Sequence, residues 1–211
     1  MYDFTKRLTD IVFSVILGMF FLPVCILTAI AIKLETPGLI FADTPPRVGK
    51  DGKLFRIYKF RSMIPNAHRL LHTDSRFKKL LEEYKKSSYK LHRDPRVTKA
   101  GKFIRKHSID EIPQLINVFR GEMSLVGPRP YYPDELKNQQ KKYPQTRKLV
   151  KEVLEVKPGA TGAWQVSGRS KVNFDKRIQM DAEYARKKSL LYDMIILFKS
   201  PWAMIAGKGA V

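Results

Sequence analysis

The segment Ser108-Ile109-Asp110-Glu111-Ile112-Pro113-Gln114 sets two adjacent carboxylates just ahead of a proline. The residue before a proline avoids helical backbone angles, and proline favours the first turn of a helix. A helix beginning at Pro113 is therefore predicted, with Asp110 and Glu111 at its mouth, where unpaired N–H groups and the dipole favour anions. Two readings fit. In one, Ser108 caps the helix and Glu111 reaches back to complete a capping box. In the other, the carboxylates divide a phosphoryl transfer: one attacks phosphorus and the other holds a divalent cation.

An anionic carboxylate approaching an anionic pyrophosphate needs help. Two unit charges 4 Å apart repel by about 4 kcal/mol at an effective dielectric of 20. Guanidinium groups, ammonium groups and magnesium can offset that repulsion. The sequence offers Lys59, Arg61, Arg105, Lys106 and Arg129. Arg129 lies in Gly127-Pro128-Arg129-Pro130, where a proline on each side stiffens its mount and favours a two-pronged grip on phosphate. A structural pairing of Arg129 with a carboxylate fits the same residues.

Other chemistries find less support. His68 and His72 are four apart but lack an HExxH pattern, so they read as a solvated helix face. No Gly-x-x-x-x-Gly-Lys-Ser/Thr loop and no Gly-x-Ser-x-Gly elbow is present.

The elements that must position these residues are short and mostly helical. Residues 39–63 read as extended, with Lys50-Asp51-Gly52-Lys53 as a hairpin turn. Residues 66–91 read as one helix with Leu70, Phe77, Leu81 and Tyr84 along a stripe, lying either on the core or in a headgroup plane. A second helix is expected over 109–119, stopped by Gly121, and others over 133–154 and 175–187, with 157–162 as a loop. The stretch Leu190–Ala206 is apolar but interrupted by Asp193, Lys199, Ser200 and Pro201. It therefore reads as a helix on the core or at an interface. The fold class expected is mainly α with a small β-hairpin.

An uncharged apolar run from Ile11 to Ile32, with Pro23 at its middle, precedes all of this. About 20 apolar residues suffice to cross a bilayer. Pro23 removes a helical hydrogen bond and kinks the segment, giving either a kinked span or two arms that return to the same face. Lys6 and Arg7 before the run, and Lys33 after it, suit two ends in one polar interface. The run outlasts the apolar core of a secretion signal, and no small-x-small site follows it. Cys25, the one cysteine, lies inside the run and fits a reducing compartment.

The 211 residues carry a net charge of +20, and the whole excess lies after Ile32. Such charge keeps a domain on the cytoplasmic side and draws it to anionic lipid, phosphate-rich substrate or nucleic acid. Few aromatics interleave the basic runs and no nucleic-acid motif is present, so a tethered nucleic-acid binder is disfavoured.

In order along the chain stand Lys6-Arg7, Arg47-Val48-Gly49, Tyr58-Lys59-Phe60-Arg61-Ser62-Met63, Asp94-Pro95-Arg96, Ser108 to Gln114, Gly121-Glu122-Met123-Ser124-Leu125-Val126-Gly127-Pro128-Arg129-Pro130, Lys157-Pro158-Gly159-Ala160-Thr161-Gly162 and Gln165-Val166. Each is weak alone, but the joint order over nearly the full chain resembles the bacterial sugar transferases, monotopic enzymes that move a hexose 1-phosphate to a polyprenyl phosphate.

The resemblance implies a UDP-sugar donor, undecaprenyl phosphate as acceptor and UMP as product, at the first membrane step of a surface glycan such as capsule, exopolysaccharide or lipopolysaccharide. It implies Asp110 as nucleophile forming a covalent phosphosugar, and a magnesium ion held by Glu111 with Asp110. Arg129 is implied at a substrate phosphate, with Lys59, Arg61 and Arg105 as further phosphate-binding candidates. Residues 1–36 become a re-entrant membrane helix broken near Pro23, and 37–211 a catalytic domain with interfacial helices on the cytoplasmic face of the bacterial inner membrane. Many members carry a serine before the central proline; here it is Leu22, which cannot satisfy a freed carbonyl. A chain that starts just before the membrane helix resembles the minimal catalytic form of the family. Donor specificity is expected near Arg169 and residues 131–136.

Overall fold

A computed structural model describes residues 2–86, 91, 94–167 and 172–205. His92, Arg169 and Ala206 lie outside the described residues. The chain is mainly helical, as the periodicity predicts. Helix α1 (Tyr2–Glu35) extends the apolar run at both ends, and Pro23 lies inside it. By length and composition it is able to cross a membrane. One stripe of it packs on the rest of the protein. Asp10, Ser14, Thr28 and Ile32 are buried, Leu17 meets one apolar core and Cys25 another. Phe13, Met19, Phe20, Leu27 and Leu34 face outward.

Both ends of α1 are fastened to the same domain. Arg7 donates to the carbonyls of Val118 and Phe119, and Leu125 N–H donates to Asp10 at 3.0 Å. At the other end the Glu35 carboxylate accepts the N–H groups of Lys99 and Ala100. Those are two of the unpaired donors at the start of α4 (Lys99–Lys106), and Glu35 satisfies them. Exposed Phe103, Ile116, Phe119, Phe198 and Trp202 add to the outward apolar surface of α1. An apolar area of that extent marks a membrane- or partner-facing side.

The hairpin forms where predicted. Strand β1 (Arg47–Val48) pairs antiparallel with β2 (Leu54–Phe55), and Asp51 and Gly52 both adopt positive φ in the turn. Only two residues of each strand pair, far fewer than the extended reading of 39–63.

Several expectations need correction. The helix expected over 66–91 is two, α2 (Ala67–Thr73) and α3 (Lys78–Lys86), because Asp74 takes an extended conformation and caps the short turn that follows. The helix expected over 133–154 is likewise two, α6 (Pro133–Lys142) and α7 (Arg147–Leu154). Pro144 pushes Tyr143 out of the helical region. The stretch 157–162, read as a loop, contains β4 (Gly159–Thr161), which pairs parallel with β3 (Ser124–Val126). A single-turn helix α8 (Ala163–Val166) follows β4. The helix expected at 175–187 is present as α9 (Phe174–Lys187) and the last as α10 (Leu190–Ile205).

Three apolar cores hold these pieces. The first joins α5 (Gln114–Arg120), β3, α9 and α10 through Val118, Met123, Leu125, Tyr184 and Ile196. The second joins α6, α7 and α9 through Leu136, Val150, Val153, Phe174 and Ile178. The third joins the end of α1 to α4 through Ile32, Phe60 and Ile104. A cavity of about 310 Å³ opens among these elements.

Candidate active site

Asp110 and Glu111 sit in a single 3-10 turn, Ile109–Glu111, and α5 begins after it at Gln114 with Pro113 as its flanking residue. The capping-box reading fails in its geometry: Ser108 adopts φ 55° and its side chain makes no capping bond. A left-handed backbone at a residue other than glycine is uncommon and costs energy. Here it reverses the chain so that Arg105, at the end of α4, and the two carboxylates line one cavity.

Lys59 is placed opposite Asp110 by backbone pairing. Phe60 N–H donates to the Asp110 carbonyl at 3.0 Å, and Ala42 N–H donates to the Lys59 carbonyl at 2.8 Å. One residue further back, Tyr58 N–H donates to the side chain of Asn117, which is fully buried in α5. Lys59 Nζ then lies 2.6 Å from Asp110 Oδ2 and 3.6 Å from Glu111 Oε1. Asp110 is 3% exposed. Burial pulls the Lys59 ammonium down, but Asp110 and then Glu111 outweigh it and hold Lys59 above the ordinary lysine range.

Arg129 reaches the same cavity from the loop after β3. Parallel pairing fixes that loop: Gly127 N–H donates to Thr161 O at 3.0 Å and Gly159 N–H to Pro128 O at 2.8 Å. A methyl group on Gly159 would lie 2.0 Å from Gly127 N, so the loop is seated where only glycine fits. Arg129 N–H donates to buried Asp181 at 3.1 Å, and the guanidinium lies 5.2 Å over the Trp164 ring. Burial alone lowers the Arg129 guanidinium, but Glu135, Tyr131, Tyr132 and Glu111 together hold it up.

The candidates therefore converge, with one distinction. Lys59, Arg105, Asp110, Glu111 and Arg129 all border the cavity. Arg61 borders it too, but its two terminal nitrogens donate to the carbonyls of Thr36 and Pro37, which fastens the exit of α1. His68 and His72 lie 4.6 Å apart with tilted rings, both exposed as a solvated helix face would be, and His68 also borders the cavity. Burial and then His72 push its imidazole down.

Sequence reasoning missed the layer behind Arg129. Asp181 accepts from Tyr131 Oη at 2.9 Å, and Glu135 lies 3.7 Å from Arg177. All four are nearly inaccessible to solvent. Burial raises the Asp181 carboxyl to about 6, against the lowering pull of Arg129 N–H and Tyr131. Arg177 and Asp181 are one helical turn apart on the apolar stripe of α9, and a charged pair on such a stripe is a signal that could have found them. Tyr132 lies within the expected specificity segment 131–136 and lines the cavity.

Among the described residues no group of three or more His, Cys, Asp or Glu side chains gathers as a metal cage. Magnesium, however, is usually held by one or two carboxylates together with substrate phosphates. Glu111 fits that use, since its side chain is 38% exposed and its cation contact with Lys59 is long.

The bacterial sugar transferase family model matches residues 1–207, and the chain belongs to that family. It is 40% identical over 207 residues to an undecaprenyl-phosphate galactose phosphotransferase of Salmonella typhimurium, covering 98% of this chain and 42% of that protein. It is 36% identical over 214 residues to the UDP-glucose:undecaprenyl-phosphate glucose-1-phosphate transferase of Escherichia coli, covering 97% of this chain and 41% of that protein. It is also 36% identical over 206 residues to the exopolysaccharide production protein ExoY of Sinorhizobium fredii, covering 98% of this chain and 88% of that protein. The chain thus spans less than half the length of the first two.

Proposed function

We propose that this chain transfers a sugar 1-phosphate from a UDP-sugar to undecaprenyl phosphate at the cytoplasmic face of a bacterial inner membrane, in two displacements. In the first, a carboxylate oxygen of Asp110 attacks the sugar-linked phosphorus. The bond from that phosphorus to the bridging oxygen breaks, and UMP leaves with the electron pair. In the second, a phosphate oxygen of the lipid attacks the same phosphorus and releases the Asp110 carboxylate. No proton need move in either step. Lys59 holds the Asp110 carboxylate in place, while Arg105 and Arg129 face the donor phosphates. Glu111, with Asp110, would hold a magnesium ion, which when bound offsets the charge of the pyrophosphate.

One observation carries this reading: a buried carboxylate paired to Lys59 borders the same cavity as Glu111, Arg105 and Arg129. The re-entrant reading of α1 draws support from the fastening of both its ends to one domain. In that reading α1, a single helix through Pro23 here, would bend at that proline within the bilayer, and the lipid acceptor approaches along the apolar face.

The test is UMP release by purified protein with magnesium and undecaprenyl phosphate, across a panel of UDP-sugars. Release with one or a few donors is expected. Silence with every donor would contradict the reading.

A further inference from the structure

Arg47 borders the same cavity as the dyad. Val48 N–H donates to Tyr131 O at 2.9 Å, and this registers β1 against the segment that follows Arg129. Arg47 is thereby laid over the Tyr132 ring, its guanidinium carbon 3.2 Å from the ring centroid, and Nη1 donates to Pro130 O at 3.3 Å. Its Nε is buried without a partner, as is that of Arg129.

Two other arginines along the cavity are engaged: Arg96 forks onto Asp94, and Arg61 holds two carbonyls. Among the described residues no carboxylate lies within ion-pair distance of Arg47. Glu135 acts on it from further away and sits closer to Arg177. Burial, and then neighbouring Arg129, disfavour its charge. Glu135 lies 3.7 Å from Arg177 and Asp181 takes the Arg129 N–H, so neither buried carboxylate pairs with Arg47. A stacked, rigid guanidinium with unspent donors beside a second one is a mount for a phosphate.

We infer that Arg47 holds the departing phosphate of the nucleotide, with Arg129 between it and the dyad. This rests on the reading under Proposed function. The order follows from the contacts. Lys59 pairs with both dyad acids, whereas Arg47 rests on Pro130 O and the Tyr132 ring, beside the Arg129 loop, and pairs with neither acid. Asp110 marks the transferred phosphorus, so the next phosphate outward is the one that leaves as UMP. Charge accumulates on it as the bridging bond breaks, and a donor placed there favours the transition state.

The experiment compares the wild-type chain with Arg47→Ala and Arg47→Lys in detergent with magnesium. Inhibition by UMP is measured beside inhibition by uridine, which lacks the phosphate. We expect Arg47→Ala to weaken UMP roughly 10- to 100-fold, the weight of a charge-assisted hydrogen bond, and to leave uridine unchanged. Formation of the covalent phosphosugar should slow by a similar factor. Lipid chase of a preformed adduct should stay within about twofold, since UMP has already left. Arg47→Lys should fall between, and added guanidinium ion should partly restore Arg47→Ala. Unchanged UMP inhibition in Arg47→Ala would overturn the inference while wild-type turnover left the transferase reading standing. Equal slowing of both half-reactions without rescue by guanidinium would also overturn it, as a purely structural role. Absence of UMP release by the wild type would instead sink the transferase reading.

Discussion

Lys59 Nζ lies 2.6 Å from Asp110 Oδ2, in a pair whose carboxylate is almost wholly buried and whose lysine is about a quarter exposed. Two segments far apart in sequence make this contact, and the Phe60-to-Asp110 backbone bond sets its register. Lys59→Met keeps the length of the side chain and strands the carboxylate. We expect a loss of about 2 kcal/mol in stability, the usual cost of leaving a buried charged acceptor unpaired, and at least a 100-fold loss of turnover. The lysine's folded value is raised, so its stabilising contribution is complete below the ordinary lysine range and disappears as pH climbs through the raised value. Denaturation at pH 7 and at strongly alkaline pH checks both parts. Equal stability of the two proteins at pH 7 would count against the pairing.

Asp181 gives a dependence of opposite sense. Its carboxyl titrates near 6 in the folded protein, above the ordinary aspartate value of 3.8. The folded state therefore holds a proton that the unfolded chain has released, and stability falls as pH rises from about 4 to about 6, then levels. Other acids titrate in the same window, so the informative quantity is the difference from Asp181→Asn. Wild type should lose ground to Asp181→Asn between pH 4 and pH 6.5 in thermal melts. A constant difference would mean that Asp181 stays ionised throughout.

Much of the candidate site was legible because it is local. An acidic pair before a proline, an arginine between prolines and an Asp-Gly turn each carry their meaning in a few residues; the turn forms, and the acids and the arginine border one cavity. The environment behind them was not legible. The β3–β4 pairing involves three residues a side, too short for alternation to register, and Gly159-Ala160-Thr161 reads as loop by composition. Arg61 stands among the phosphate-binding candidates, two residues after Lys59. Pairing of Arg61 N–H with Ile40 O instead turns that side chain toward Thr36 and Pro37. The Arg47–Tyr132 stack joins residues 85 apart in number, which no periodicity reveals.

The re-entrant reading of α1 has its own check. Asp3 and Leu34 are exposed near opposite ends of the helix. In a Cys25→Ser background, Asp3→Cys and Leu34→Cys report each end separately. In inner-membrane vesicles of known orientation, a membrane-impermeant maleimide should label both from the cytoplasmic face. Labelling of the two from opposite faces would mean that α1 spans.

The most direct measurement is intact-protein mass spectrometry after incubation with a competent UDP-sugar and magnesium but no lipid acceptor, followed by peptide mapping. Wild type should gain one sugar phosphate on Asp110 with stoichiometric UMP, and Asp110→Asn should gain none while still binding donor. An adduct on another residue, or full turnover by Asp110→Asn, would contradict the proposed role of Asp110 as nucleophile.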